Sequence, residues 1–189
     1  MAFPGELLEL AQELADLHPE TAHQASLRRA VSTAYYALFH LLISEATANW
    51  ARPKLRAALG RCFEHGPMKN ASEPSQINNL LKQYPPEDAG SAAANDLHTV
   101  ANAFVQAQQR RNEADYNMAK EWTPVESYAQ IAEVDDAFKA WYRIRDETVA
   151  QAYLVSLLGA KGRRSSELQL PQTKTERKGK RAGPRSPPT

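Results

Sequence analysis

Apolar residues recur at helical spacing along most of the chain, and the pattern is strongest in residues 27–46, LRRAVSTAYYALFHLLISEA. Ala30, Ala34 and Leu38 share one face at a period of 3.6 residues. Aromatic and aliphatic neighbours extend that face around most of the helix, and a helix that is apolar on most sides must be enclosed by others. We therefore expect this segment to form the central helix of the fold.

A line of polar side chains interrupts this apolar helix. Its members recur at intervals of three or four residues and stack along one edge: Arg29, Ser32 or Thr33, Tyr36 and His40. Polar groups on a buried helix need partners, because an unpaired buried donor or acceptor is costly. The line therefore predicts contacts with another helix, a second subunit or a ligand.

The same periodicity predicts further helices around the central one. The expected segments are residues 5–17, 19–50 for the whole central helix, 54–64, 77–84, a helix that begins between 91 and 95 and ends within 110–118, and 124–158. Thr123-Pro124-Val125-Glu126 has the spacing of a capping box and predicts the start of the last helix. Residues 66–76 are expected to form a loop. Without a strand pattern or an internal repeat, the predicted fold class is all-α.

Charge divides the chain into two parts. Residues 161–189 carry nine Lys or Arg and two Glu, a net charge of +7, whereas residues 1–160 carry 14 Lys or Arg and 20 Asp or Glu, a net charge of −6. The tail is Pro-rich and free of aromatic residues, so it is expected to be disordered beyond one helical domain of residues 1–160. Such a tail can attract nucleic acid, keep the protein soluble, or fold back on the acidic body.

The remaining composition excludes several classes of protein. The lone Cys62 cannot form an internal disulfide and is expected to be a small buried residue. No Cys/His cluster has the spacing of a zinc site, so neither a metal nor a cofactor is expected. No apolar run is long enough to cross a membrane, and the N-terminal residues lack the apolar core of a signal peptide. We therefore expect a cytoplasmic protein that makes no membrane contact.

The apolar stripe of the helix that follows residue 91 leads to an arginine. The stripe consists of Leu97, Val100, Ala101, Phe104 and Ala107. Arg111 lies two turns beyond Phe104 and about 20° off its line, whereas Arg110 is rotated about a quarter turn toward solvent. An arginine on a buried face needs an acidic partner such as Glu45 or Asp115, a ligand or an interface.

Three segments resemble motifs of the HEPN superfamily. Residues 32–40, STAYYALFH, are similar to S-x-A-Y-Y-A-x-F-H, and residues 111–116, RNEADY, are similar to the R-x-x-A-D-Y of many small bacterial HEPN proteins. Between them, residues 63–66, FEHG, resemble F-x-x-G. The order of the motifs matches the family, and the resemblance organises residues 5–155, with the tail outside it.

The resemblance implies an antiparallel bundle of four to five helices, commonly a homodimer with its functional groove at the dimer interface. Many HEPN proteins are metal-independent endoribonucleases, among them toxins of toxin–antitoxin pairs and effectors of phage defence. Others bind nucleotides, RNA or a partner protein without catalysis. A partner here would be a cognate antitoxin or a nucleotidyltransferase. Active members carry an Arg that stabilises the scissile phosphate and, after four to six residues, a His that transfers protons.

This chain departs from the pattern of the active members. Four residues separate Arg111 from Tyr116, where a His would stand, and no His follows His98. A phenol with a pKa near 10 is a poor general base at neutral pH compared with an imidazole near 6.5. Catalysis is therefore expected to be weak or absent, unless His40 or Tyr116 replaces the missing His.

These observations define the candidate residues. The expected binding residues are Arg111, Asn112, Asp115, Tyr116, Tyr36 and Ser32, and the catalytic candidates are Arg111, His40 and Tyr116. The favoured function is binding of RNA or a nucleotide phosphate. The alternatives are a metal-independent endoribonuclease and a non-catalytic, dimeric protein-interaction module.

Each candidate also has a purely structural interpretation. Arg111 and Asp115 are four residues apart and can lock the register of the helices. His40 can be a hydrogen-bonded core residue, and Tyr116, like Tyr36, can be a packing residue with a bonded hydroxyl. His65, just before a glycine, is expected to be a cation at a helix C-terminus.

Overall fold

The structure, a computed structural model, describes residues 3–17, 23–86 and 92–159, and every regular element in these ranges is a helix. The prediction of an all-α fold is therefore confirmed. The helices are α1 (Phe3–Asp16), α2 (Gln24–Ala48), α3 (Pro53–Gly60), α4 (His65–Ala71), α5 (Pro74–Gln83), α6 (Ala92–Tyr116), α7 (Pro124–Ile144) and α8 (Thr148–Ser156). The predicted basic tail, residues 161–189, lies outside the described residues.

The long helices α1, α2, α6 and α7 form the body of the fold, and α2 lies at its centre. α2 packs against the other three, and most of its side chains from Ser26 to Leu42 are buried. The core around it contains the largest fully buried side chains, among them Tyr35, Phe104 and Trp141. Enclosure by the other helices is what the apolar circumference of α2 predicts.

α2 and α6 run antiparallel, which decides which of their residues meet. Arg28 near the start of α2 contacts the backbone of Ala114 near the end of α6. Tyr35, two turns further along α2, packs against Phe104, which lies earlier in α6. Residues 117–123 join α6 to α7 directly, so these two helices are antiparallel as well.

The predicted loop at residues 66–76 is wrong, because α4 and the start of α5 cover most of it. Each of these short helices has a buried apolar anchor, Met68 in α4 and Ile77 in α5. The helix expected over residues 54–64 is shorter, because α3 ends at Gly60, and Gly66 lies in the first turn of α4. Burial of the anchors in the core overrides the low helix propensity of the glycine and proline residues around them.

The single helix predicted over residues 124–158 is also wrong, because it is divided into α7 and α8. At the division the side chain of Gln151 donates to the carbonyl oxygen of Arg145 at 2.5 Å. The break changes the phase of the residues that follow. Tyr153 is fully buried, whereas Val155, which an unbroken helix would place on the same side as Trp141, is 70% exposed.

Two predicted helix starts are confirmed. The helix expected from residue 54 has Pro53 in its first turn, and the hydroxyl of Thr123 accepts a hydrogen bond from the backbone N–H of Glu126 in a complete capping box. Cys62, expected to be buried, is exposed just after α3. No helix in the described part of the chain has the length and the hydropathy to cross a membrane.

Candidate functional site

Polar side chains of α2 and α6 meet where these helices cross. On α6, Gln108, Arg111 and Asp115 recur at helical spacing, and on α2, Ser32 and Tyr36 do the same. Two members of the polar line of α2, Ser32 and Tyr36, therefore find their partners on α6. We refer to Ser32, Tyr36, Arg111 and Asp115, which are linked by hydrogen bonds and an ion pair, as the Arg111 cluster.

Arg111 is held at three points, and its side chain is 17% exposed. Nε lies 2.8 Å from Oδ2 of Asp115, Nη2 donates to the Tyr36 hydroxyl at 2.8 Å, and Nη1 donates to Oδ1 of Asn112 at 3.1 Å. The Nε–H does not point directly at the carboxylate, so this contact is an ion pair and not a linear hydrogen bond. One N–H on each terminal nitrogen has no partner among the described residues.

Asp115 links Arg111 to α2. Its Oδ2 forms the ion pair with Arg111, and its Oδ1 accepts a hydrogen bond of 2.5 Å from the hydroxyl of the buried Ser32. Of the two acids considered as partners of Arg111, Glu45 pairs with Arg145 instead, at 3.2 Å. The carboxylate of Asp115 thus fixes the position of the guanidinium and balances its charge.

Two tyrosine rings flank the guanidinium of Arg111. Its Cζ lies 5.5 Å from the ring centroid of Tyr36 and 5.6 Å from that of Tyr116, within the range of cation–π contacts. Tyr36 is half-buried, but Tyr116 is 72% exposed, so its interpretation as a packing residue is wrong. An exposed aromatic ring beside a cation offers a face on which a nucleobase can stack.

His40 lies one turn beyond Tyr36 on the same edge of α2. Its ring packs against Phe3 and Tyr36, with centroid distances of 5.2 and 6.4 Å, and no hydrogen bond to it is present among the described residues. His40 is thus a half-buried aromatic contact and not the hydrogen-bonded core residue of the structural alternative. Burial lowers the pKa of His40, which keeps the imidazole neutral at neutral pH.

A second histidine, His65, reaches the same region from α4. Its Nδ1 lies 2.5 Å from the Tyr35 hydroxyl, and its ring centroid lies 6.2 Å from that of Tyr36. His65 stands at the first position of α4, so the prediction of a cation at a helix C-terminus is wrong. Burial lowers the pKa of His65, and the nearby Arg111 and His40 lower it further. Both histidines are therefore neutral at neutral pH.

Arg28 holds the end of α6 in place. Its guanidinium donates to the backbone carbonyls of Ala114 at 2.8 Å and Asn117 at 3.1 Å, and also to the carbonyl of Lys120. A cation at these C-terminal carbonyls satisfies acceptors that the helix leaves open and complements its dipole. Arg28 therefore positions the turn from which Tyr116 projects.

The other arginines near the cluster point away from it. Arg110, expected to face solvent, instead contacts α7, where it donates to Glu133 at 2.5 Å and to Gln130 at 2.6 Å. Arg29, predicted as part of the polar line, is exposed. Neighbouring residues Arg110 and Arg111 thus serve two different interfaces.

The structure brings most of the predicted site residues together, with Arg111 at the centre. Four residues of the site were not predicted from the sequence: Arg28, Tyr35, His65 and Gln108. Gln108 could have been found from its phase, since it lies one turn before Arg111 on the same face. His65 lies in the segment that resembles F-x-x-G, but nothing in the sequence shows that it approaches α2 and α6.

The chemistry available at this site is recognition of an anion. In the described ranges, no group of three His, Cys, Asp or Glu residues could hold a metal ion. The donors are the two free N–H groups of Arg111, and the exposed ring of Tyr116 adds an apolar face. Arg111 and Asp115 balance each other in charge, so the cluster as a whole carries no net charge.

Comparison with known proteins gave no significant match. No protein-family model matches the chain, and neither a curated protein nor a solved structure matches it significantly. The similarity to HEPN proteins therefore stays a prediction from the motifs.

Proposed function

We propose that this chain is a HEPN-domain protein that binds RNA or a nucleotide through a phosphate group at Arg111, with weak or absent catalysis. One observation carries the proposal: a mostly buried arginine, fixed by three contacts, keeps two N–H groups free. Guanidinium groups of this kind suit the paired oxygens of a phosphate. The family assignment is supported by the motifs at residues 32–40 and 111–116, whose polar residues contact each other.

Charge balance favours a phosphodiester over a terminal phosphate. The Arg111–Asp115 pair has no net charge. An anionic ligand accepts hydrogen bonds from Arg111, but it is also repelled by the nearby carboxylate of Asp115. Repulsion from that carboxylate rises with the charge of the ligand. A phosphodiester carries one negative charge and a terminal phosphate close to two, which supports RNA over a free nucleotide as the ligand.

The position of Tyr116 supports the same choice. Its ring is 72% exposed and lies against the guanidinium that would hold the phosphate. A nucleobase next to the bound phosphate could stack on this ring without a sequence-specific hydrogen bond. Asn112 and Ser32 act in this proposal as supports of Arg111 and Asp115.

A ribonuclease is the second candidate. The observation that favours it is that Tyr36 contacts both the neutral His40 and Arg111, so a proton-transfer group lies near the proposed phosphate site. In this alternative Arg111 stabilises the phosphate, and His40 or Tyr116 transfers a proton. Tyr116 suits the role less well, because a phenol is a poorer general base than an imidazole.

The biological setting rests on the resemblance alone. It supports a cytoplasmic homodimer within a toxin–antitoxin or defence-type system, paired with an antitoxin or a nucleotidyltransferase. A third candidate, an interaction module in which the cluster serves only a dimer interface, leaves the free N–H groups of Arg111 without a ligand.

The test compares the wild type with Arg111→Ala and Arg110→Ala. Each variant loses one arginine of α6 together with its ion pair, but only Arg111 belongs to the cluster. Labelled single-stranded RNA is incubated without divalent metal, and both retention on a gel and cleavage are measured. We expect retention without cleavage, weakened about tenfold or more by Arg111→Ala and little changed by Arg110→Ala. Equal weakening by both variants would contradict the proposal, and cleavage that depends on Arg111 would favour the ribonuclease.

A further inference from the structure

The hydrogen bond between Tyr35 and His65 fixes the form of the imidazole. Tyr35 is fully buried, and among the described residues its hydroxyl has one hydrogen-bond partner, Nδ1 of His65 at 2.5 Å. A buried hydroxyl that failed to donate would be left with an unsatisfied proton, so the O–H donates and Nδ1 accepts. A neutral imidazole that accepts at Nδ1 carries its proton on Nε2.

Nε2 of His65 is not fully buried and has no hydrogen-bond partner among the described residues. The residue as a whole is half-buried. His65 therefore has one unpaired, partly accessible donor, whose position is fixed by the bond from Tyr35 to Nδ1.

His65 and Arg111 both contact Tyr36. Tyr36 stands between them: its hydroxyl accepts from Arg111 at 2.8 Å, and its ring lies 6.2 Å from the ring of His65 in an edge-to-face arrangement. α6 also holds the backbone of His65, because the buried Gln108 donates to its carbonyl oxygen at 3.2 Å. Side chain and backbone of His65 are thus tied to α2 and α6, which also form the Arg111 cluster.

From this arrangement we infer that His65 is a second phosphate-binding residue, which donates from Nε2 to an oxygen of the phosphate held by Arg111, and that Tyr35 is its positioning residue. The inference rests on the proposed function and names a ligand contact that the sequence motifs do not. It also gives a physical reason for the weak or absent catalysis of the proposed function. With Nδ1 occupied by Tyr35 and Nε2 already protonated, His65 has no free nitrogen to accept a proton from a ribose hydroxyl.

Two substitutions separate the ligand contact from a structural role. His65→Asn keeps a group near Nδ1 that can accept from Tyr35 but removes the donor at Nε2. His65→Gln keeps an amide donor near the position of Nε2 but removes the acceptor that Tyr35 needs. Binding of a fluorescent single-stranded oligouridylate and the melting temperature are measured for both variants, for the wild type and for Arg111→Ala.

We expect opposite patterns for the two variants of His65. His65→Asn should weaken binding about tenfold with little change in melting temperature, which corresponds to the loss of one hydrogen bond to an anion. His65→Gln should bind within a few fold of the wild type but melt earlier, because the buried hydroxyl of Tyr35 loses its acceptor. The reverse pattern, with wild-type binding by His65→Asn, would overturn the inference.

The remaining outcomes separate this inference from the proposed function. If Arg111→Ala loses binding and His65→Asn does not, the site at Arg111 stands and the role of His65 is refuted. If the wild type does not bind the oligouridylate, both fail. If His65→Asn does not fold, the ring nitrogens of the ¹⁵N-labelled wild type are observed by NMR. The inference requires a proton on Nε2 and a change of its resonance when the RNA is added; a proton on Nδ1, or no change at saturation, overturns it.

Discussion

Asp115→Asn should have opposite effects on stability and on anion binding. The carboxylate of Asp115 pairs with Arg111 at 2.8 Å and accepts from Ser32 at 2.5 Å, with side-chain exposures of 25% for Asp115 and 17% for Arg111. An asparagine can keep an acceptor for Ser32 but removes the countercharge of Arg111. The substitution therefore tests whether Arg111 is a structural lock or a cation available to a ligand.

The size of the stability loss follows from this partial burial. Exposed ion pairs contribute up to about 1 kcal/mol, and loss of one partner of a fully buried pair costs about 3–5 kcal/mol. For a pair of intermediate exposure we expect a loss of about 1–2 kcal/mol in the free energy of unfolding. In a chain of this length that lowers the melting temperature by roughly 2–8 °C.

The effect on binding should have the other sign. Removal of one negative charge about 5 Å from a bound phosphate relieves about 1–3 kcal/mol of repulsion per ligand charge, at effective dielectric constants of about 20–80. A dianionic terminal phosphate gains more than a phosphodiester, so its relative affinity should rise about fivefold or more.

Calorimetric unfolding measures the stability of Asp115→Asn. Competition between a nucleoside monophosphate and a labelled RNA measures its relative affinity for the two ligands. A variant that melts earlier and loses affinity for both ligands equally would refute the reasoning, since Asp115 would then act only by holding Arg111 in place.

Three further predictions follow from the structure. Tyr116→Ala should weaken RNA binding by about 1–3 kcal/mol without a change in melting temperature, because the ring is 72% exposed. The control is Tyr142→Ala, which removes a ring of α7 that is 51% exposed. An equal loss of RNA affinity in both variants would argue against stacking on Tyr116. The pKa values of His40 and His65 are lowered in the folded state, so the unfolded chain binds more protons as the pH falls. The free energy of unfolding should therefore be highest above a pH of about 6.5 and should fall below it. Chemical unfolding at several pH values measures this dependence, which should be weaker when both histidines are replaced by Asn. Removal of residues 161–189, with their net charge of +7, should flatten the salt dependence of RNA binding and leave the melting temperature nearly unchanged; an early-melting truncation would contradict it.

Much of the fold could be predicted because helical periodicity is a local property. The phase of Arg111 relative to Phe104 follows from their separation alone, and the structure places Arg111 against α2 as that phase requires. The capping box at Thr123 is equally local. The predictions that fail, the loop at residues 66–76 and the unbroken helix over 124–158, concern segments that pack against distant parts of the chain. Single buried anchors hold α4 and α5, and four buried side chains hold α8.

The site shows the same division between local and distant information. Residue spacing within single helices predicts an all-α fold, a central helix with one polar edge and an arginine on a buried face. The tertiary structure decided the partners: Asp115 meets Ser32, Arg111 meets Tyr36, and His65 meets Tyr35. These pairs are 83, 75 and 30 residues apart, and the antiparallel register of α2 and α6, together with the docking of α4, brings them together. That register is set by the packing of the whole core, and no single segment contains it.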